Sequence, residues 1–337
     1  MRCLTLLCGV IIGTLIGCSS QTGPDSNTAV FKTPEQAVEA RKHKLMQDWQ
    51  EMAAKIANAE RPDIKTRKAP EGFALIMSAD GLEQPLDLAP LTETLTSASV
   101  VGKERDPIRA YLLQHFPPFD RVRLKALGFA RVRSMLMPYL ANLKESQELA
   151  GGNTLITNRV VIDLNWLPVV RWPGSDAQTP VEEEVATSWK TPADQVSAAA
   201  MENLRQSFTS RSVAAFETVD LPGMGRYGTL RTGVDPAVIL LPEFLSAVRK
   251  DWKSTDDLVL FLPSRHSVNF LERKNERLLN QMIPQWTTLY TRLADPLIGT
   301  MVLDGEHGLA LFSYTPPTAP GAKPATRPAT KRVYIVH

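Results

Sequence analysis

Cysteine is almost absent from this chain. Its three cysteines, Cys3, Cys8 and Cys18, all lie within the first eighteen of 337 residues. The rest of the chain can therefore form neither a disulfide nor a zinc site with thiolate ligands. A chain of this length can build a sufficient core without disulfides, even in an oxidising compartment, so the absence does not indicate the cytoplasm.

The chain also lacks a strong charge of either sign. Its 38 basic and 36 acidic residues leave a formal net charge of +2. No block of lysine and arginine stands beside stackable aromatic residues, so the sequence predicts no nucleic-acid partner. The P-loop lysine motif, the HExxH zinc motif and the Gly-x-Ser-x-Gly elbow are missing as well. We therefore expect no cofactor and no metal, and no complete catalytic set stands out.

The first residues have the pattern of a signal peptide. A basic start at Met1-Arg2 precedes an apolar segment, residues 4–16, that is too short to span a bilayer. The segment ends in Leu-Ile-Gly-Cys at residues 15–18, which resembles the bacterial lipobox. That resemblance implies that Cys18 is acylated and begins the mature chain, anchored to a membrane through its acyl chains. Because Ser19 follows in place of an aspartate, the resemblance favours the outer membrane. The alternative is an ordinary secretory peptide.

Composition and periodicity divide the rest of the chain. A proline at the first helical position inside a capping box, Thr33 to Gln36, predicts a helix that runs to about Asn58. Strand and hairpin patterns alternate with amphipathic helices further on, which predicts an α+β fold with a largely antiparallel mixed sheet. The expected parts are a signal peptide (1–17), a flexible tether (18–32), a helix-rich N-terminal segment (33–148), an α+β main domain (149–314) and a basic tail rich in proline, alanine and threonine (315–337).

The centre of the main domain is predicted between residues 233 and 285. The apolar run Leu258 to Leu262, ended by a proline, is typical of a strand buried on both faces, and amphipathic helices flank it. A crossover near residues 252–258 would add parallel pairs to the sheet. The glycine pattern at residues 223–228 matches a dinucleotide fingerprint in letters, but β-like residues follow it, so we predict a hairpin loop.

Candidate functional residues follow that buried strand. Ser264, Arg265 and His266 stand at its end, and Asn203 adjoins the inner face of a preceding helix. Arg265 is a candidate for binding a small anionic ligand; the alternative is a structural ion pair with a fold carboxylate. Asp256, Asp257 and Glu272 are the candidate partners for such a pair. Asn203 is a second ligand-binding candidate, or a residue that bonds a strand backbone.

Four short segments in fixed order resemble the YtpQ-like family, bacterial proteins of unknown function. They are RDPI at 105–108, VVID at 160–163, AMENL at 200–204 and LPSR at 262–265. The resemblance covers most of residues 75–312. Family members usually have aspartate where this chain has His266, and they commonly lack a lipobox. The resemblance implies an architecture and a candidate site, but no reaction.

Two functions are compatible with these patterns. The first is a non-catalytic envelope lipoprotein that binds or scaffolds an unknown protein or a small anionic ligand around Arg265. The second is an envelope hydrolase that uses Ser264 or Ser267 with His266, because a hydroxyl and an imidazole meet at a strand end. The orienting acid and the oxyanion site that a hydrolase needs cannot be assigned from the sequence, so the binding protein is preferred.

Overall fold

The computed structural model describes residues 33–314, except 100–101, 211–214, 266, 294–295 and 306–307. The predicted signal peptide, tether and tail lie outside the described residues, as do Cys18 and His266.

The chain divides into two compact units after Met46. In the first unit, the described residues are Thr33 and the beginning of helix α1 (Pro34–Glu60). The Thr33 hydroxyl accepts a hydrogen bond from the Gln36 amide at 3.3 Å. The predicted capped start with proline at the first helical position is therefore confirmed. The rest of α1 and all other described elements belong to the second unit.

The helices that follow are regular and mostly short. They are α2 Thr92–Ser99, α3 Arg105–Leu127, α4 Phe129–Val132, α5 Leu143–Ala150, α6 Glu183–Ser188, α7 Ala193–Ser210, α8 Pro242–Trp252 and α9 Glu276–Arg292. Turns of 3₁₀ helix lie at Ala89–Leu91, Arg133–Met135 and Pro236–Leu240.

The strands form three sheets. They are β1 Lys65–Lys68, β2 Ala74–Ala79, β3 Leu82–Asp87, β4 Leu136–Asn142, β5 Asn158–Val161, β6 Leu164–Arg171, β7 Gln178–Pro180, β8 Phe216–Leu221, β9 Gly225–Leu230, β10 Leu258–Ser264, β11 Ser267–Glu272, β12 Met301–Gly305 and β13 Gly308–Phe312. The sheet orders are β1-β2-β3, β4-β6-β5 with β7 on β6, and β13-β12-β10-β11-β9-β8.

The predicted α+β class with antiparallel sheets is confirmed. The prediction of parallel pairs is wrong for the described strands, where every pairing is antiparallel. The physical reason lies in the order of the six-stranded sheet. The predicted crossover carries the chain from β9 through α8 to β10, and β11 lies between these two strands, so they run parallel without being neighbours.

Strand β10 is the centre of the core. Every residue from Leu258 to Leu262 is at most 2 % exposed, which confirms the predicted strand buried on both faces. On one face Phe261 stacks against Trp286 of α9, with ring centroids 4.9 Å apart. On the other face Leu260 packs in one cluster with residues of α8 and of the four-stranded sheet. Burying side chains of this size stabilises the fold by about 1.5 to 3 kcal/mol each.

The region between residues 120 and 143 changes from helix to strand. Helix α3 ends at Leu127, where Gly128 adopts a φ of 74°. Pro138 lies inside β4 opposite Pro168 of β6. The two predicted segments, 33–148 and 149–314, therefore share a sheet, because β4 belongs to the first and β6 to the second.

Candidate functional site

The predicted site residues Ser264 and Arg265 lie at the closed end of the β10–β11 hairpin. Ser264 is the last residue of β10, and its Cα partner across the hairpin is Ser267. The Ser267 hydroxyl accepts a hydrogen bond from the side-chain amide of Asn269 at 3.2 Å. His266 lies between the two serines, outside the described residues. Whether an imidazole meets either hydroxyl therefore stays a prediction.

The Arg265 side chain forms an ion pair with Glu145 of α5. Its Nε donates to the Leu140 carbonyl at 3.4 Å, and its guanidinium lies 4.6 Å from the centre of the Tyr139 ring. This partner differs from the carboxylates considered from the sequence. Asp256 lies next to Lys274 and accepts a hydrogen bond from the Lys274 amide, while Asp257 accepts one from Arg273.

Glu145 is itself held in place by its neighbours. The Tyr139 hydroxyl donates to its carboxylate at 2.8 Å. The Asn142 side chain caps α5 by accepting from the Glu145 amide at 2.8 Å, and donates to the Pro296 carbonyl at 3.0 Å. We call Tyr139, Asn142, Glu145 and Arg265 the hairpin cluster. The Arg265 side chain is 20 % exposed, so an anionic ligand reaches it only in competition with Glu145.

Asn203 lies elsewhere on the molecule. Its amide nitrogen on α7 is 2.6 Å from the Arg133 carbonyl and 2.9 Å from the Leu136 carbonyl. The structure therefore gives this residue the backbone-bonding role considered from the sequence. Arg265 meets the same strand at Leu140, four residues from Leu136, which is about 13 Å along a strand. The two candidate residues do not form one cluster.

A groove of about 470 Å³ opens beside Asn203, between α7 and the residues around Arg133. Its apolar lining includes Phe129, Ala198 and Met201. Sequence reasoning did not identify this groove, because its walls come from segments about seventy residues apart.

Sequence reasoning also missed a network of buried charges. Arg61 donates to both carboxylate oxygens of Asp120, each at 2.8 Å, and to Asp63 at 2.8 to 2.9 Å. Arg123 donates to Asp63 at 2.6 Å, and its guanidinium lies 3.6 Å from the centre of the Trp172 ring. These four charged side chains are at most 6 % exposed. We call Arg61, Asp63, Asp120 and Arg123 the buried ion network.

The turn between β2 and β3 also joins the network. Asp80 and Gly81 adopt φ values of 52° and 83°, which confirms the predicted Asp-Gly turn. The Asp80 carboxylate accepts from Arg123 at 2.7 Å and from Arg131 at 3.1 Å. The three-stranded sheet is thereby tied to α3 and α4. No sequence pattern identifies these partners, because charged residues are by default placed on the surface.

Two groups of the network have shifted pKa values. Burial by itself raises the pKa of Asp63, but hydrogen bonds from Arg61 and Arg123, with the charges of both, outweigh it and hold the pKa below its ordinary value. Burial by itself lowers the pKa of Arg61, but its bonds to Asp63 and Asp120 raise that pKa above its ordinary value. Both shifts favour the charged forms of Asp63 and Arg61 at neutral pH.

The glycine pattern at residues 223–228 lies in the β8–β9 hairpin, as predicted. Where the structure describes the chain, no helix has the length and apolar content needed to cross a bilayer. The same residues bring no three His, Cys, Asp or Glu side chains into a group able to hold a metal ion.

Comparisons with protein-family models, with curated proteins and with solved structures gave no match. The resemblance to the YtpQ-like family therefore stays a prediction from four sequence segments.

Proposed function

We propose that this protein is a lipid-anchored bacterial envelope protein that binds a partner or a small anionic ligand without a reaction of its own. The observation that carries the proposal is the lipobox ending in Cys18, preceded by an apolar segment and followed by polar residues up to the capped helix at Thr33. Acyl chains on one residue make attachment effectively permanent, since each buried methylene adds about 0.8 kcal/mol. Ser19 after the cysteine favours the outer membrane.

Palmitate labelling tests the anchor. We expect wild type to carry label and to sediment with membranes, and Cys18→Ala to lose all label. Cys8→Ala is the matched control, because it removes a cysteine of the same apolar segment and should keep the label. Deleting residues 323–332 should leave the membrane fraction unchanged. Unlabelled wild type would show that the lipoprotein proposal is wrong.

Candidate residues of both the binding role and the hydrolase already have partners within the fold. Arg265 already has a carboxylate partner in Glu145, and the Ser267 hydroxyl accepts from Asn269. A screen of esterase, peptidase and glycosidase substrates separates this role from hydrolysis. We expect the wild-type protein to hydrolyse none of these substrates. Hydrolysis by the wild-type protein that disappears in His266→Ala would show that the protein is a hydrolase and would overturn the purely binding role.

A further inference from the structure

The groove beside Asn203 combines an apolar floor with a charged rim. Phe129 and Met201 are half-buried, and Ala198 of α7 is exposed. Three charged residues line the groove: Arg133, Glu202 and Arg205. A volume of about 470 Å³ falls within the range of pockets that hold small organic ligands.

The charges of the rim are not equally compensated. Arg205 donates to Glu243 at 2.8 Å and to Glu202 at 3.1 Å, so its charge is shared between two carboxylates. Glu202 also accepts from Gln206 at 3.0 Å. The exposed Arg133 guanidinium forms no hydrogen bond or ion pair with any residue that the structure describes. Its charge still acts on Glu202, because hydrogen bonds from Gln206 and Arg205, with the charges of Arg205 and Arg133, hold the pKa of Glu202 below its ordinary value. With Glu243 counted beside the lining residues, two cations face two carboxylates, and Arg133 is the cation whose N–H groups have no hydrogen bond among the described residues.

The backbone that carries Arg133 is held by Asn203. The Asn203 amide nitrogen lies within hydrogen-bond distance of the Arg133 carbonyl and of the Leu136 carbonyl at the start of β4. The 3₁₀ turn Arg133–Met135 between these two carbonyls is therefore tied to α7. Asn203 is thus a positioning residue for the backbone that carries Arg133.

We propose that this groove binds a small monocarboxylate with an apolar body. The planar guanidinium of Arg133 matches a carboxylate through two parallel hydrogen bonds. The aryl or alkyl body of the ligand packs on Phe129, Ala198 and Met201, where it loses contact with water. The ligand's carboxylate accepts from guanidinium N–H groups that no described residue uses, and Glu202 on the same rim disfavours a second negative charge on the ligand. The proposal deepens the proposed binding function by naming a site and a ligand class, and it moves the ligand away from Arg265.

Isothermal titration of the full-length lipidated chain in neutral detergent micelles with 3-phenylpropionate tests this site. We expect saturable binding by wild type. We expect 3-phenylpropan-1-ol, which keeps the body without the charge, and inorganic phosphate, which keeps charge without the body, to bind at least tenfold more weakly. Equal binding of either one would overturn the proposal, as would no binding of 3-phenylpropionate.

Arginine variants locate the bound ligand. Arg133→Gln should weaken 3-phenylpropionate binding at least tenfold. Arg159→Gln is the control, because Arg159 is also exposed but lies on β5 outside the groove. Unchanged binding in Arg133→Gln, or an equal loss in Arg159→Gln, would refute the site. Palmitate labelling does not depend on the groove, so failure here is distinguishable from failure of the lipid anchor.

Discussion

At the scale of single residues, the close approach of the Phe270 ring explains why position 228 is a glycine. It is one of three glycines in the pattern that matches a dinucleotide fingerprint. A Cβ atom added to Gly228 would lie 2.2 Å from the Phe270 ring, and one added to Gly225 would lie 2.2 Å from the Asn275 amide. Phe270 is fully buried and makes edge contacts with Phe216 and Phe244. These two glycines therefore serve close packing in the β8–β9 hairpin.

Gly228→Ala should destabilise the protein by about 3 kcal/mol, because the added methyl group forces the Phe270 ring to move inside a packed core. Chemical denaturation monitored by circular dichroism measures the change. Gly305→Ala is the control in the same sheet, since among the described residues its added Cβ meets Asp257 alone, at 3.8 Å or more. A Gly228→Ala variant as stable as Gly305→Ala would contradict the packing explanation.

At the scale of secondary-structure elements, the hairpin cluster joins the two larger sheets. Arg265 at the end of the β10–β11 hairpin meets Leu140 of β4 and Glu145 of α5. Asn142, at the end of β4, bonds the Pro296 carbonyl in the connection before β12. Both links run between elements more than a hundred residues apart in sequence. The cluster is therefore a structural junction, whatever else binds there.

Arg265→Met should lower the free energy of unfolding by about 2 kcal/mol, because the largely buried Glu145 carboxylate loses its cation. Glu145→Gln should lower the free energy of unfolding by less than Arg265→Met does. The double variant should be more stable than the sum of the two single losses predicts. A double-mutant cycle from denaturation curves measures this coupling, expected at about 1 kcal/mol. Purely additive losses would mean that the ion pair contributes nothing.

At the scale of the whole molecule, the buried ion network connects α1, α3 and the three-stranded sheet. Asp63 precedes β1 and is bound by Arg61 after α1 and by Arg123 of α3. Removing one partner from such a network leaves a buried charge uncompensated, which costs about 3 to 5 kcal/mol. The fold is therefore much more sensitive to loss of any single member of this network than to loss of one partner of an exposed ion pair.

Acid should destabilise the protein through Asp63. Its pKa is lower in the folded than in the unfolded state, where it is about 3.9. The stabilisation is therefore complete above the unfolded pKa and is lost as the pH falls through the folded pKa. Free energies of unfolding measured from pH 7 to pH 2 test this predicted loss of stability with falling pH.

Asp63→Asn should be less stable at neutral pH and should lose less stability in acid. Glu184→Gln is the control, because the Glu184–Lys125 pair is exposed and screened by solvent. It should keep the wild-type pH profile. An Asp63→Asn profile parallel to that of wild type would exclude Asp63 as the source of the acid sensitivity.

The sequence by itself determined the elements that depend on neighbouring residues. Capping chemistry at Thr33, the Asp80-Gly81 turn, the buried run Leu258 to Leu262 and the helical spacing of the apolar residues in α8 are local patterns, because helix and strand periods repeat within a few residues. The α+β class follows from the succession of such elements. The lipobox at Cys18 is likewise a local pattern, and its role stays a prediction.

Only the tertiary structure decided the partners of the polar side chains. Arg265 pairs with Glu145, Asn203 bonds the Arg133 and Leu136 carbonyls, and the buried ion network joins residues about sixty positions apart. Such pairings depend on which surfaces meet when hydrophobic faces are buried, and no spacing in one sequence encodes that meeting. Burial then raises the strength of each pairing, because fewer water molecules compete for the same charges.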